Sequence, residues 1–193
     1  MANHVYSLLE VKFKTADDTS RFSEWIGHES DPTKHPENST YMSRIEATSN
    51  CLFDNLFPGI ADTREAWINQ IGAKWCYLAD IDASDDTIYL HFVSAWDFPE
   101  GLFFKLSDFL REQYPGAKIE GTFEDEGYCF IGACAANQQF RDIEYFHPDE
   151  EYFEDPNYRD EDDCWTDAFF EEMSNKKDEL LDEVLSFTEQ IAE

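Results

Sequence analysis

Four residues between two apolar runs alternate as calcium ligands do: Asp80, Asp82, Ser84 and Asp86. A calcium loop of the EF-hand type also needs Gly at its sixth position, for the sharp turn, and a bidentate Glu at its twelfth. Asp85 and His91 stand at those places, so the run is read as the solvated turn of a hairpin. His28 and His35 flank a proline-bearing stretch, and His147 precedes Asp149 and Glu150. No pair has the HExxH spacing that sets two imidazoles on one face of a helix. There is no GxSxG elbow, Walker loop or GxGxxG turn. Cys164 follows four consecutive acids, Asp160, Glu161, Asp162 and Asp163, whose charge opposes thiolate formation. These residues predict no catalytic group, no metal and no cofactor.

The strongest chemical feature is an acidic run. It comprises Asp149, Glu150, Glu151, Glu154, Asp155, Asp160, Glu161, Asp162, Asp163, Asp167, Glu171 and Glu172, offset only by Arg159. Between Asp142 and Glu193 there are 20 acidic and 3 basic residues, a net of −17. The rest of the chain carries −12 of the total −29. Charge of one sign gathered in one place repels itself and weakens the folded state, and solubility needs far less of it. Over Gln138–Asp163 the acidic residues are also interleaved with Phe140, Tyr145, Phe146, Tyr152, Phe153 and Tyr158, which marks an ordered or docking surface. These twelve acidic residues are the candidate partner-binding set.

The same charge excludes other roles. A net of −29 disfavours direct binding to a nucleic-acid backbone, where Lys and Arg must release counterions. It disfavours an anionic membrane surface equally. No stretch approaches the roughly 18 consecutive apolar residues of a membrane span, and the first ten residues lack a basic, then apolar, leader. Five cysteines, an odd number without paired spacing, fit neither a disulfide framework nor a zinc site. A reduced, cytoplasmic protein is expected. With 42% hydrophobic and 16% aromatic residues over 193 positions, the chain has material for a core, and acidic disorder is not expected.

Positioning these residues requires a fold. His4–Lys14 reads as a strand, followed by a short helix capped within Asp17–Ser20 and holding Phe22, Trp25 and Ile26. Residues 27–40 read as a loop, and 41–63 give no clear element. Ala73–Ile81 and Thr87–Trp96 read as a hairpin around Asp82–Asp86. Leu102, Phe103, Leu106, Phe109 and Leu110 line one face of a helix that Pro115-Gly116 stops. Ala117–Phe123 and Tyr128–Ala135 form a second hairpin. The order is β, α, β, β, α, β and one further strand. That predicts an α+β fold of the ferredoxin-like, split βαβ kind with an added strand. The strands are apolar on both sides, as in Cys129, Ile131 and Ala133 against Tyr128, Phe130 and Cys134. Such a sheet needs cover on both faces. The insertion, the acidic extension or a partner must supply the second.

Three segments occur in one order: Ile71-Gly72-Ala73-Lys74-Trp75, Ser94-Ala95-Trp96-Asp97-Phe98-Pro99 and Gly127-Tyr128-Cys129-Phe130-Ile131-Gly132. Together with Phe53-Asp54-Asn55-Leu56-Phe57-Pro58, they resemble the YubB-like ferredoxin-fold proteins of plasmids and phages. Ala73 and Ser94 stand where that family usually has Thr. The resemblance covers roughly residues 3–135, leaves the acidic extension as an addition, and implies a fold and a mobile-element origin but no catalytic residue.

Two regions follow: a ferredoxin-like domain at 1–137 with an insertion at about 28–69, and an acidic, aromatic-bearing extension at 138–193. The extension ends in a helix at about 166–191, with Phe169, Met173, Leu180, Val184, Phe187 and Ile191 on one stripe. That stripe packs on the domain or forms a homodimer seam. The expected activity is binding, not catalysis. A rigid array of carboxylates can fill a groove of Lys and Arg built for nucleic acid, steered there by the same field. In a plasmid or phage setting that makes the chain an inhibitor, a DNA mimic acting on a host CRISPR, restriction or nuclease complex. The alternative is an accessory or antitoxin-like module that clamps a basic protein without mimicking DNA.

Overall fold

Strict alternation of burial along the first strand sets the architecture. In β1 (His4–Lys12), Val5, Ser7, Leu9 and Val11 are buried, while Tyr6 and Leu8 point to the other face and are exposed. The computed structural model describes residues 3–27, 52–53, 55–61, 63–160 and 164–190. Within them the remaining elements are α1 (Ala16–Ile26), α2 (Arg64–Ile71), β2 (Cys76–Ala83), β3 (Thr87–Ala95), α3 (Glu100–Gln113), β4 (Lys118–Asp125), β5 (Ile131–Ala136), β6 (Arg141–Phe146), α4 (Glu150–Glu154) and α5 (Asp167–Gln190). The protein is thus α+β, with five helices among the described residues and one six-stranded sheet. The strand order is β2-β3-β1-β4-β5-β6, with every neighbouring pair antiparallel.

Local chemistry explains most boundaries. Helix α1 is capped by Thr15, two residues before the expected Asp17–Ser20 window; its hydroxyl accepts from the Asp18 amide at 3.2 Å. Asp17 and Asp18 occupy the first turn instead, where the helix dipole favours acids. Gly27, at φ 70°, closes the helix in the left-handed conformation. On α3, Leu102, Phe103, Leu106 and Leu110 are buried, as their spacing predicts, and Phe109 stacks on Trp25 at 3.9 Å. The β2–β3 turn closes through Ser84, whose amide donates to the Thr87 carbonyl at 2.8 Å.

Helices α1 and α3 share one face of the sheet with the main core, which includes Phe22, Phe92, Phe98, Phe103 and Phe123. Phe98 and Phe123 stack at 4.1 Å. Leu52, Phe53, Leu56 and Phe57 join this core, although the sequence assigned them no element. The expected loop at 28–40, with His28 and His35, lies outside the described residues.

The sixth strand is a departure from expectation. Gln138–Asp163 was read as an acidic, aromatic tail, yet Arg141–Phe146 pairs antiparallel with β5 from Ala136↔Arg141 to Ile131↔Phe146. Asn137 makes the turn, its side-chain oxygen accepting from the amides of Gln139 and Phe140 at 2.8 and 2.9 Å.

The second face has an answer on one side only. Helix α5 lies over β5, touching β4 and β6 as well. Phe169 and Met173 bury against Ile131, and Val184 against Ala133 and Ala135. All six residues of β5 are buried, so its two apolar faces are both covered. Of the predicted stripe, Phe169, Met173 and Val184 are fully buried within the chain and Leu180 is half-buried. Phe187 is exposed, and Ile191 lies outside the described residues. A homodimer through this stripe would require the helix to leave its own sheet.

Candidate functional site

The acidic extension is held by its own aromatic side chains. Trp165 stacks on Phe169 at 3.9 Å and 11°, and the Arg159 guanidinium lies 3.4 Å over the Trp165 ring. Tyr152 stacks with Tyr158 and meets Phe146 edge to face. Tyr128 meets Phe169 the same way at 5.1 Å. These rings form a small second core with Ile131 and Met173. The interleaved aromatics are therefore mainly internal packing beneath the charges.

Several of the twelve candidate carboxylates do structural work. Asp149 accepts from the Tyr152 amide at 3.3 Å, Asp155 from the Asn157 amide at 2.8 Å, and Asp160 from the Cys164 amide at 2.8 Å. Each closes a turn. Asp149, Glu150, Glu154, Asp160, Asp167 and Glu171 are exposed; Asp155 and Glu172 are half-buried. Glu172 faces Tyr152 and Tyr158. Burial first, and this carboxylate next, raise both phenols above their ordinary range. That contact ties α5 to α4 and the loop after it. Glu161, Asp162, Asp163 and the Glu151 side chain lie outside what is described.

The charge continues beyond the candidate set. Asp178, Glu179, Asp182 and Glu183 are exposed on α5. At 100° per residue, Asp167, Glu171, Asp178 and Asp182 fall in one narrow row opposite the buried Phe169–Met173–Val184 stripe. The row spans about 23 Å at 1.5 Å per residue. Over its 24 residues α5 carries eight acids against Lys176 and Lys177, one carboxylate per roughly 4.5 Å of helix. One strand of duplex DNA presents a charge about every 3.4 Å. The i, i+4, i+11, i+15 spacing is readable in the sequence, and the candidate run already contains its first two members, Asp167 and Glu171.

A second surface lies on the sheet face that the sequence pattern leaves to be covered by the insertion, the extension or a partner. The half of the sheet beyond α5 has no described helix on this face. By register, Tyr6, Leu8, Glu10 and Lys12 of β1 stand beside Val93, His91 and Tyr89 of β3, and beside Glu124, Thr122, Glu120 and Lys118 of β4. Of these, Tyr6, Leu8, His91, Val93, Thr122 and Glu124 line a shallow groove of about 480 Å³, bordered on one side by Asp80 of β2 and on the other by Lys177 of α5. Tyr6 is 47% and Leu8 37% exposed, which is large for apolar side chains in the middle of a central strand. Lys177 is ion-paired with Glu124, and Lys12 with Glu120 at 2.8 Å and Glu10 at 3.2 Å. The latter pairing, led by the hydrogen bond to Glu120, raises the Lys12 ammonium above its usual range.

Residues 71–75, 94–99 and 127–132, three of the segments that carry the resemblance, lie at one end of the sheet by strand register, and their packing explains part of them. A side chain at Gly72 would press on the Glu100 amide, and one at Gly101 would overlap the Gln70 carbonyl, so α2 and α3 approach through glycine. Ser94 donates to the Asp97 carbonyl at 2.7 Å. Trp96 takes φ 73°, rare for a bulky residue, and is 46% exposed. Lys74 and Arg64 sit 4.6 and 5.2 Å from its ring.

The groups considered for chemistry are spread out. Asp80 and Asp82 lie on β2, with Ser84 and Asp86 in the turn, and no three potential metal ligands converge among the described residues. His147 stacks on Tyr145, and its Nδ1 lies 3.4 Å from the Cys129 carbonyl. Burial pushes the Cys76 and Cys134 thiols up, against thiolate chemistry. No described helix is long and apolar enough to cross a membrane.

No family model matches the chain, and no curated protein matches it. Among solved structures, it is similar to the protein api92 from Yersinia pseudotuberculosis, described under the family model DUF1281. The TM-score is 0.45 at 8% identity, covering 77% of this chain and 99% of that one. A second is the complex of A. aeolicus tRNASec with M. kandleri SerRS, with a TM-score of 0.31 at 11% identity, covering all of this chain and 33% of that one. At these values neither carries an argument about this chain's activity or partners.

Proposed function

We propose that this chain is a non-catalytic acidic inhibitor of plasmid or phage origin that occupies the basic nucleic-acid groove of a host defence protein as a DNA mimic. The observation that carries the reading is the outer row of α5. Asp167, Glu171, Asp178 and Asp182 stand on a helix whose opposite face is pinned to the sheet by Phe169, Met173 and Val184. A pinned array loses little conformational freedom on binding, and the helix that bears it is net −6, with eight acids against two lysines. The turns closed by Asp149, Asp155 and Asp160 extend the acidic surface past the helix.

For the scaffold we propose the ferredoxin-like, split βαβ arrangement, supported by the order β2-β3-β1-β4 with α1 and α3 on one face. The resemblance to the YubB-like proteins belongs to the same proposal. A second reading, an accessory module clamping a basic protein without mimicry, is favoured by the exposed Tyr6 and Leu8, since an apolar groove has no counterpart in a phosphate backbone.

The test is competition. The partner is captured from a host extract, the complex is purified, and duplex DNA is titrated in. Mimicry expects full displacement and a steep salt dependence. A complex that saturating DNA never disturbs leaves only the clamp. Replacing Asp167, Glu171, Asp178 and Asp182 together with Asn or Gln is expected to weaken binding and flatten the salt slope.

A further inference from the structure

We infer that the open half of the sheet is a docking site for one amphipathic, basic helix of a partner protein, laid alongside α5. The inference rests on the reading that this chain binds a basic protein, and not on whether DNA competes.

The first argument is spacing. Helix α5 is centred on β5, where Ala133 and Ala135 receive Val184. Strands lie about 4.8 Å apart, and packed helices about 8–10 Å apart. A second helix beside α5 is therefore displaced by two strands, from β5 past β4, and centres on β1. That is the strand whose apolar side chains Tyr6 and Leu8 are left exposed on this face. The flank of α5 turned toward the groove is marked by Lys177, which pairs with Glu124 of β4. Phe170, seven residues before Lys177 and so on the same flank, is 45% exposed. The groove thus offers a partly apolar floor with Lys177 of α5 at its edge, and Phe170 adds an exposed ring on the same flank of the helix.

The second argument is charge. Glu10, Glu120, Glu124, Asp80 and Asp82 stand on this face, against Lys12, Lys118 and Lys177. Lys12 pairs with Glu10 and Glu120, and Lys177 with Glu124, which leaves Asp80 and Asp82 against Lys118 on this face of a molecule that carries −29. The occupant therefore has an apolar seam flanked by Lys or Arg. A second copy of α5 does not fit, because it brings eight acids against two lysines and its buried stripe is already used. A nucleic-acid strand does not fit either, because its phosphates would meet the same carboxylates.

The experiment uses the full chain and three synthetic helical peptides of about 20 residues. One has Leu at seam positions and Lys on the flanks. The second has Glu in place of Lys. The third has the composition of the first in scrambled order. Amide shifts are followed by NMR. The first peptide is expected to shift β1 and β3 amides and to bind about tenfold or more tightly than the third, as burying a Leu-sized contact implies. The Glu peptide is expected not to bind. Leu8→Asp is expected to remove the β1 and β3 shifts while leaving those on the outer row of α5. Hydrogen exchange on the unmutated chain, with and without peptide, reads β1 protection without any substitution. Shifts confined to the outer row of α5, or equal binding by the scrambled peptide, would overturn the inference and leave the acidic-row reading standing. A partner held through β1 but never displaced by DNA would do the reverse.

Discussion

The two halves of one sheet face are built differently. Over β5 the face is made of Ile131, Ala133 and Ala135, all fully buried under α5. Over β1 it is made of Tyr6 and Leu8, large side chains left in contact with solvent. Small residues let a helix approach closely; large ones either meet a partner or stay exposed. The same strand periodicity therefore yields an internal seam on one half and an accessible surface on the other. The difference separates two kinds of side chain on one face: those over β5 are expected to contribute to stability through α5, and the exposed Tyr6 and Leu8 of β1 to contribute little.

The comparison can be broken at its strongest point first. Phe169 is fully buried and touches Tyr128, Tyr158, Trp165 and Phe170. Phe169→Ala is expected to cost about 3–5 kcal/mol, read by urea unfolding. A loss below about 1 kcal/mol would mean that α5 is an accessory layer and that both halves are equally open.

Next is the charge trapped at the seam. Glu144 lies on the covered half, and burial, then Asp142 and Glu183, raise its carboxyl above the usual range. A folded value above the unfolded one means that Glu144 favours the native state when protonated and opposes it once ionised. Its contribution is present at acid pH and lost as pH rises through the folded value. Glu144→Gln is therefore expected to stabilise the protein at pH 7, by less than about 1 kcal/mol, with the gain disappearing toward pH 4. Glu126 runs the other way. Its hydrogen bond from His4 lowers the carboxyl, so that contribution is lost as pH falls.

The smallest effect is expected on the open half. Leu8→Ser is expected to change stability by about 0.5 kcal/mol or less, as for exposed positions, measured in the same urea titration. A loss comparable to Phe169→Ala would show that the β1 half is part of the core.

Much of this was legible in the sequence for physical reasons that also mark its limits. Strands β1 to β5 and helices α1 and α3 show clear periods, and the apolar residues on both sides of β5 correctly demanded a second cover. Strand β6 was missed because Arg141, Asp142 and Glu144 put charge on both of its faces, which removes the alternation a half-buried strand normally shows. The aromatics of the extension were legible as ordered, but not as inward-facing, because their ordering comes from ring contacts across α4, α5 and the loop between them. The acidic row of α5 was available from its spacing, yet which side of a helix faces solvent depends on where its apolar stripe docks. The open half was legible only as a face in need of cover, by the insertion, the extension or a partner, and not by its place over β1. Tyr6 and Leu8 alternate with Val5 and Leu9 just as core residues would, and only the position of α5 leaves them uncovered.

The late position of α5 in the chain has a consequence for synthesis. Helix α5 begins at Asp167, 31 residues after β5 ends at Ala136. At about 5–20 residues per second, the sheet exists for several seconds with the β5 strip bare. During that interval the nascent chain displays an apolar surface on both halves of the face, and neighbouring chains on one message could pair through it. The residues made before Asp142 already carry −12, enough to hold such chains apart by mutual repulsion. The charge proposed to meet a partner would thus act first as a spacer between sibling chains, until α5 closes its half of the sheet.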